Sequence, residues 1–228
     1  MWHDAPRLDH RDWGRREYGA ALVEMRQLHA ARRRGEIPDT LVLVEHPPVI
    51  TVGVQGREGD VLPEGIPVFD VERGGKSTYH GPGQLVGYPI VDLEPRGRDV
   101  RHYVRDLEEI VIQALAEQSL AAGRVEGQRG VWVAGRRKIA SVGIAVESWV
   151  AFHGFALNVD PDLSVFRSFR PCGLSGDVMT SVSRERGEPS SIEEFRGPIL
   201  RSWKAVFGSG PDTAVPTAAS APVTPARS

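Results

Sequence analysis

The chain is organised around the stretch Arg73-Gly74-Gly75-Lys76-Ser77-Thr78-Tyr79-His80-Gly81-Pro82-Gly83-Gln84, which runs directly into the apolar residues 85–91. Four glycines and one proline in this stretch let the backbone turn sharply and lie close to a ligand, because glycine has no Cβ atom. The side chains that add hydrogen-bond donors along it are Arg73, Lys76, Thr78, His80 and Gln84. We predict a ligand-binding loop that enters a strand; the alternative is a long hairpin connection.

The composition provides enough apolar residues for a hydrophobic core and almost no net charge. With 228 residues, 25.0 kDa and 40% apolar residues, the chain forms one large domain or two small ones. The formal net charge of −2 supplies no overall attraction to nucleic acid, so nucleic-acid binding is disfavoured. No apolar run reaches the roughly 18 to 20 residues that span a bilayer, and residues 1–16 are charged rather than signal-like. We therefore expect a cytoplasmic protein without a membrane span.

Apolar periodicity predicts an alternation of helices and short strands. Helices are predicted at residues 15–33, 99–122 and 191–207, the last with a capping pattern at Ser191 and Glu194 and a disturbance at Gly197-Pro198. Strands are predicted at residues 40–45, 49–54, 67–72, 85–93, 130–134, 137–147 and 149–159, with a hairpin turn at Gly135-Arg136.

These elements favour one α/β domain of the α+β type over residues 1–207. Its sheet is expected to be mixed and largely antiparallel, flanked by helices, because strands and helices do not alternate strictly. Residues 208–228 are rich in Ala, Pro, Thr and Ser and have hardly any large apolar side chains. Such a composition cannot bury enough apolar surface to fold, so we predict a disordered tail.

Two familiar kinds of site fit this sequence poorly. Gly75-Lys76-Ser77 resembles the end of a phosphate-binding loop, but Asp70 occupies the position of the required glycine and a strand follows instead of a helix. The histidines at positions 46, 80, 102 and 153 form no HxH or HxxxH pair. The single cysteine, Cys172, excludes an internal disulfide and a cluster of cysteine ligands. We therefore predict no metal site.

Cys172 and Lys138 are the candidate catalytic residues. Cys172 lies between Pro171 and Gly173, with Arg170 nearby, and neighbouring cations lower a thiol pKa from about 8.5 toward the reactive thiolate. Lys138 opens the small-residue strand 139–143 directly after a tight hairpin. From sequence context alone, the cysteine is either structural or nucleophilic, and the lysine is either a solvated strand end or its partner.

Six motifs in order resemble those of the lipoyl(octanoyl) transferases. They are residues 45–49 (EHPPV), 73–89 (RGGKSTYHGPGQLVGYP), 130–133 (GVWV), 138–143 (KIASVG), 153–159 (HGFALNV) and 171–174 (PCGL). The resemblance covers roughly residues 15–205, and Ser141 stands where the family commonly has alanine. It implies the fold of the biotin and lipoate protein ligase catalytic domains.

The resemblance also implies an activity that needs no cofactor. Octanoyltransferases move an octanoyl group from octanoyl-acyl carrier protein to a lysine of a lipoyl domain, in 2-oxoacid dehydrogenases and in the glycine cleavage H protein. Cys172 would form the acyl thioester, and Lys138 would lower the thiol pKa and shuttle the proton. Thioester exchange is nearly isoenergetic and amide formation is downhill, so ATP is not required.

The same resemblance assigns the substrate-binding and supporting residues. The expected binding set is Arg73, Gly74, Gly75, Lys76, Ser77, Thr78, Tyr79, His80, Ser141, Val142, Gly143, Gly154, Phe155 and Ala156. His80 and His153 are expected to orient the acceptor lysine or the intermediate, and His46 is a further supporting candidate. The arginine runs 32–34 and 136–137 are expected to dock acidic protein partners; the alternative is that they are ordinary solvated charges.

Two other functions compete with this interpretation. An ATP-dependent lipoate or biotin ligase of the same fold would also use a lysine in a Lys-Ile-x-small strand, but it has no need of Cys172. A non-catalytic binder of acyl domains would be expected to have lost Cys172 or Lys138, and both are present. The sequence therefore favours the transferase.

Overall fold

The computed structural model describes residues 8–56, 63–167 and 176–208. The strands are Leu8–Arg15 (β1), Asp39–Glu45 (β2), Val49–Val52 (β3), Val68–Asp70 (β4), Ser77–His80 (β5), Gln84–Asp92 (β6), Gly123–Val125 (β7), Gln128–Val133 (β8), Arg137–Glu147 (β9) and Val150–Asn158 (β10). The helices are Tyr18–Arg33 (α1), Val100–Glu117 (α2), Val182–Arg186 (α3) and Glu193–Phe207 (α4). Apart from Gly208, the predicted tail lies outside the described residues.

A seven-stranded sheet forms the centre of the molecule, in the order β1-β2-β6-β10-β9-β8-β7. β1 and β2 are parallel, and every other neighbouring pair is antiparallel. The predicted mixed, largely antiparallel α/β fold is therefore confirmed, as is the β8–β9 hairpin.

The two faces of this sheet bury different side chains because successive residues of a strand point to opposite sides. In β6, Leu85 and Val91 belong to the cluster that packs under α2 and α4. Val86 and Tyr88 belong to the cluster that packs under α1. A strand that is buried on both faces has apolar residues at consecutive positions, and this continuous apolar run is the pattern from which β6 was predicted.

A smaller three-stranded sheet, β4-β3-β5, contains part of the glycine-rich stretch. β5 pairs with β3 in antiparallel register, with Val49 opposite His80 and Val52 opposite Ser77. The prediction of a continuous loop from Arg73 to Gln84 is therefore wrong over Ser77–His80. The polar sequence STYH carries no apolar alternation, and its strand conformation depends on the partner strand.

Helix α2 begins as predicted but ends earlier. The Asp99 side chain accepts hydrogen bonds from the backbone N–H groups of Arg101 and His102, which is an N-terminal cap. The helix stops at Glu117, where Ser119 adopts a left-handed φ of 60°. Gly123, which directly follows the predicted helix 99–122, instead opens β7. The apolar period continues beyond the helix because Leu120 and Ala122 still pack against the core.

Helix α4 continues through Pro198 without the predicted disturbance. At its start, the Ser191 hydroxyl accepts from the Glu193 N–H and the Glu194 carboxylate accepts from the Ser191 N–H, as the capping pattern predicts. Proline cannot donate to the carbonyl four residues earlier, that of Glu194. The Gln118 side chain donates to this carbonyl at 3.4 Å, so its hydrogen bond comes from α2's C-terminal cap.

Strands β1 and β7 and the short helix α3 were not predicted. β1 has the charged sequence LDHRDWGR and forms an edge strand alongside β2. Edge strands commonly carry charged side chains, which discourage pairing with another chain, so the charged sequence of β1 suits its position. Among the described residues, no helix combines the length and apolar character that crossing a bilayer requires.

Candidate active site

A cavity of about 280 Å³ opens on the α1 side of the main sheet. The residues that line it are Gln55, residues 73–76, Thr78, His80, Val86, Tyr88, residues 127–129, Lys138, residues 141–143 and residues 153–156. Every residue of the expected binding set therefore lines the cavity except Ser77 and Tyr79. Lys138 and His153 also line it, whereas His46 does not.

Small residues allow the strands below the cavity to approach closely. A Cβ atom on Gly154 would lie 2.3 Å from the Gly87 carbonyl oxygen and 2.4 Å from Pro89 Cδ, so no side chain fits at this position. Ser141 and Gly143 on β9 pair with Ala156 and Gly154 on β10. Their short side chains leave the space above the sheet open, which is the condition for a chain-like substrate to enter.

Lys138 is buried beside this space and is held by its backbone. Only 4% of the residue is exposed, and its Nζ lies 5.5 Å from the centre of the Trp132 ring, within cation–π range. A Cβ atom on Gly130 would lie 2.8 Å from Lys138 Cε and 2.3 Å from the Ala140 carbonyl oxygen. The φ of +101° at Gly130 independently favours glycine. The lysine side chain therefore passes over a position that must carry no side chain.

A chain of hydrogen bonds connects β5 to the backbone of Lys138. His80 Nδ1 lies 3.1 Å from Gln84 Oε1, and Gln84 Nε2 donates to Asn158 Oδ1 at 2.9 Å. Asn158 Nδ2 donates to the Thr180 carbonyl at 2.9 Å, and the Thr180 N–H donates to the Lys138 carbonyl at 2.9 Å. All five residues are at least nine-tenths buried, so these bonds are shielded from water.

This chain also determines the protonation of His80. The Gln84 amide group donates to Asn158 and to the Tyr79 carbonyl, so Gln84 Oε1 faces His80 and accepts from an Nδ1–H group. Burial, with His46 and Arg73 nearby, lowers the pKa of His80 to about 3. His80 is therefore neutral at physiological pH, with its lone pair on Nε2.

Arg73 braces the glycine-rich segment from within. Its guanidinium group donates to the carbonyl oxygens of Gly74 and Lys76 on one side, and to the carbonyl and hydroxyl oxygens of Thr51 on the other. The residue is 6% exposed. Arg73 therefore ties residues 73–76 to β3, and the cavity wall depends on it.

The alternation of β5 explains which of its residues line the cavity. Thr78 and His80 point to the cavity, whereas Ser77 and Tyr79 point away from it. Tyr79 packs edge-to-face on Phe166, at 5.6 Å between ring centres, in a separate apolar cluster. The sequence did not predict this division because the strand itself was not predicted.

His46 lies behind the cavity and orients Tyr88. Its Nδ1 is 2.7 Å from the Arg16 carbonyl, which can only accept, so Nδ1 carries the hydrogen. Burial lowers the pKa of His46 to about 4, so Nε2 is unprotonated and accepts from the Tyr88 hydroxyl at 2.8 Å. Tyr88 lines the cavity with its O–H group committed to His46.

His153 reaches the cavity through an unusual backbone conformation. Its φ of +58° lies in the left-handed region, inside a strand. Neighbouring odd-numbered residues of β10, Ala151 and Phe155, belong to the cluster under α2 and α4. His153 instead stacks on Phe152 and meets Tyr88 edge-on, on the opposite face. The left-handed backbone thus turns this side chain toward the cavity.

The sequence missed several cavity residues. Tyr88 stood within the quoted motif 73–89, and the alternation of β6 could have placed it on the same face as Val86, which also lines the cavity. Gln55 and residues 127–129 carry no local signal, because the β3 end and the β7–β8 turn reach the cavity only through the tertiary fold. Within the described ranges, no group of three or more histidine, cysteine or acidic residues is arranged to hold a metal ion.

Cys172 lies outside the described residues, in the segment 168–175. The described chain resumes at Gly176 and pairs with Lys138 soon afterwards: Met179, seven positions after Cys172 in the sequence, forms a parallel bridge to Lys138.

The expected docking arginines are mostly ion-paired. Arg32 pairs with Asp39 and Asp92, Arg33 with Glu147, Arg34 with Glu36, and Arg137 with Glu185. Arg136 is exposed and forms no ion pair within residues 8–56, 63–167 and 176–208. The same holds for Lys76 and Arg129 at the cavity mouth. These three cations are therefore better placed for a partner than residues 32–34.

Comparison with known proteins identifies the family. Residues 17–204 match the model of the lipoyl protein ligase A/B catalytic domain. The chain belongs to this family. It is 48% identical over 186 residues to a Geobacter metallireducens protein named octanoyltransferase, covering 82% of this chain and 87% of that protein. It is 47% identical over 195 residues to a Mycobacterium tuberculosis octanoyltransferase, covering 84% of each. The predicted family and the prediction of an acyltransferase enzyme are confirmed.

Solved structures of lipoate and biotin protein ligases share the fold. Lipoate-protein ligase A bound with ATP superposes with a TM-score of 0.68 at 19% identity, covering 88% of this chain and 85% of that one. A bipartite lipoate protein ligase from Thermoplasma acidophilum gives 0.66 at 20% identity, covering 90% and 84%. Biotin protein ligase from Aquifex aeolicus gives 0.51 at 11% identity, covering 88% and 69%. These likenesses confirm the predicted ligase-type fold.

Proposed function

We propose that this lipoyl protein ligase A/B family member transfers an octanoyl group from octanoyl-acyl carrier protein to a lysine of a lipoyl domain through an acyl thioester on Cys172. The observation that carries the proposal is the buried Lys138 beside a cavity walled by small residues. A buried amine next to space for an acyl chain supplies the proton shuttle that thioester chemistry needs. The names of the relatives agree with the transferred group.

The first half-reaction exchanges one thioester for another. Lys138 removes the proton of the Cys172 thiol, and the thiolate attacks the carbonyl carbon of the donor thioester. The new carbon–sulfur bond forms as the bond to the donor sulfur breaks, and Lys138 returns the proton to the departing thiolate. Backbone N–H groups of the glycine-rich strands would stabilise the oxyanion.

The second half-reaction forms the amide. The amine of the acceptor lysine attacks the acyl carbon, a carbon–nitrogen bond forms, and the bond to Cys172 sulfur breaks. The acceptors under this proposal are the lipoyl domains of 2-oxoacid dehydrogenases and the glycine cleavage H protein. No cofactor enters either step, because the donor thioester already carries the activation energy.

The partners are acidic domains that dock near the cavity mouth. Lys76 and Arg129 line the cavity and are exposed, and Arg136 is exposed in the turn between β8 and β9. The same proposal places the catalytic domain over residues 1–207, leaves residues 208–228 as a tail, and assigns the reaction to the cytoplasm.

Intact-mass measurement tests the covalent intermediate. Purified protein is incubated with octanoyl-acyl carrier protein without ATP, alongside the variants Cys172→Ser and Lys138→Ala. We expect one octanoyl adduct on the wild type that a lipoyl domain removes, no adduct on C172S, and strongly slowed formation on K138A. Transfer that appears only with ATP and free octanoate would contradict the proposal and indicate a ligase.

A further inference from the structure

The charged side chains that line the cavity are all basic. Among the described residues of its wall there are four cations, Arg73, Lys76, Arg129 and Lys138, and no aspartate or glutamate. The chain as a whole has a formal net charge of −2, so this excess of positive charge is a property of the cavity and not of the protein in general. A cavity with a basic wall favours a ligand that carries an anion.

Two of these cations are exposed and two are buried. Arg73 and Lys138 are 6% and 4% exposed, and the sections above give them a bracing role and a proton-transfer role. Lys76 and Arg129 are exposed, and neither has an ion pair within residues 8–56, 63–167 and 176–208. A ligand anion can therefore pair with Lys76 and Arg129 without displacing a carboxylate of the described chain.

Both exposed cations extend from backbone that the fold holds in place. The Gly74 N–H donates to the Ile144 carbonyl on β9 at 2.8 Å, which fixes the segment that carries Lys76. Arg129 lies within β8, and the N–H of the next residue, Gly130, donates to a buried carboxylate on α2 at 2.8 Å. Because the backbone is already ordered, binding a ligand here costs only the ordering of the two side chains.

Arg129 reaches the glycine-rich segment that carries Lys76. A Cβ atom on Gly74 would lie 3.5 Å from Arg129 Nη1, so the guanidinium group packs on a residue two positions before Lys76. The N–H groups of Gly75 and Lys76 have no acceptor in the described parts of the chain, and Gly75 has a left-handed φ of +90°. Successive N–H groups in such a turn form concavities that bind anions. One part of the cavity wall thus combines a guanidinium, an ammonium and two amide donors.

We propose that Lys76 and Arg129, together with the N–H groups of residues 75 and 76, bind the phosphodiester of the acyl donor. The inference rests on the proposed function, in which the donor is an acyl carrier protein. Such a carrier presents its acyl group as a thioester at the end of a phosphopantetheine arm, and a phosphodiester joins that arm to the protein. The phosphodiester carries one negative charge, and its oxygens accept charge-assisted hydrogen bonds from guanidinium and ammonium groups.

The phosphodiester fits this site better than the carboxylates of a docking protein. A cavity of about 280 Å³ admits a flexible arm but not a folded domain, so the residues of its wall contact the arm. Apart from the phosphodiester, the arm is uncharged. Arg136 is exposed in the β8–β9 turn and does not line the cavity, so it remains available for the acidic surface of the carrier.

Two small donors that differ in one group test the proposal without any carrier protein. They are octanoyl-phosphopantetheine, with its phosphate as the methyl diester, and octanoyl-pantetheine, which lacks the phosphate. The quantity measured is the ratio of their kcat/KM values for transfer to a lipoyl domain, in which a general loss of activity cancels. We expect a ratio of about 20 for the wild type, because each exposed ion pair contributes up to about fivefold.

Lys76→Gln and Arg129→Gln should each lower this ratio by about fivefold, and the double variant should bring it close to one. Arg136→Gln is the matched control and should keep the wild-type ratio, because this exposed arginine does not line the cavity. Raising the salt concentration from about 0.05 M to about 0.5 M should lower the ratio for the wild type but not for the double variant. A wild-type ratio near one, or an equal decrease in R136Q, would overturn the inference.

Calorimetry with unacylated compounds gives a measurement that does not depend on transfer. The methyl diester of phosphopantetheine should bind the wild type more tightly than pantetheine does, and the K76Q/R129Q double variant should bind both equally. If AMP binds more tightly than the diester and loses affinity in the same variant, the site belongs to a nucleotide and the inference is wrong. Absence of transfer from every octanoyl thioester contradicts the proposed function instead, and calorimetry then still decides whether the phosphodiester site exists.

Discussion

Replacing Arg73 with lysine tests whether the cavity wall depends on the geometry of one guanidinium group. The substitution keeps the positive charge but replaces a planar fork by a single ammonium. Arg73 donates to oxygens of Thr51 on β3 and to the carbonyls of Gly74 and Lys76 across the turn. One ammonium group cannot reach both sides, so at least two hydrogen bonds from a buried charged donor are lost.

The expected cost follows from these bonds. Hydrogen bonds to charged groups contribute about 1.5–3 kcal/mol each, so the loss of two in R73K should lower the free energy of unfolding by about 3–6 kcal/mol. With a urea dependence of about 2 kcal/mol per molar, the unfolding midpoint should fall by about 2 M. The octanoyl-transfer rate should fall as well, because residues 73–76 form one wall of the cavity.

Arg26 provides a matched control for the same change of side chain. It forms a two-bond pair with Glu72, but its side chain is 52% exposed, so R26K should cost less than about 1 kcal/mol. Hydrogen exchange adds a local measurement, since the backbone N–H groups of Val54 and Gln55 donate to the carbonyls of Arg73 and Gly75. These two amides should exchange faster in R73K. If R73K and R26K lose the same small amount of stability, with unchanged exchange, the bracing role is wrong.

Three further predictions follow from the site. Gly130→Ala would place a Cβ atom 2.8 Å from Lys138 Cε and 2.3 Å from the Ala140 carbonyl oxygen, at a residue with a positive φ. We expect less octanoyl adduct and a lower melting temperature. Wild-type values for both would contradict the dependence of the Lys138 position on Gly130. The pKa of His46 is lowered to about 4 and that of His80 to about 3, so below pH 6.5 both stay neutral in the folded protein but become protonated in the unfolded chain. Each should therefore lower the free energy of unfolding by up to about 1.4 kcal/mol for every pH unit below about 6.5. Urea titrations across this pH range measure the loss, and a flat profile would refute the prediction. Arg136→Glu should weaken use of octanoyl-acyl carrier protein by about tenfold but leave a small octanoyl thioester unaffected, and equal losses on both donors would exclude a docking role.

The parts of the fold that the sequence predicted are those whose own side chains determine them. Helix α1 and strands β6, β9 and β10 carry apolar patterns that match the faces they bury. Strands β1 and β5 do not, because they form through hydrogen bonds to partners far away in the sequence. Local periodicity therefore identified the core elements and missed the edge.

The residues of the candidate site also fall into those that local sequence predicts and those that only the tertiary structure reveals. Lys138 and the small residues of β9 and β10 were recognisable from motifs, since their chemistry is local to each strand. The separation of Thr78 and His80 from Ser77 and Tyr79 required the register of β5, which only the tertiary structure supplies. The reversed orientation of His153 depends on a left-handed backbone conformation, which the residue type does not predict.

The attachment of Lys138 has a consequence for how far this enzyme can diverge. Its position depends on a missing Cβ at Gly130 and on main-chain bonds to residues 179 and 180, not on the shape of adjacent side chains. Substitutions at neighbouring positions such as Ser141 therefore change the width of the cavity without moving the amine. Under the proposed function, natural drift or directed evolution can therefore alter which acyl chain is accepted while the amine of Lys138 stays in place.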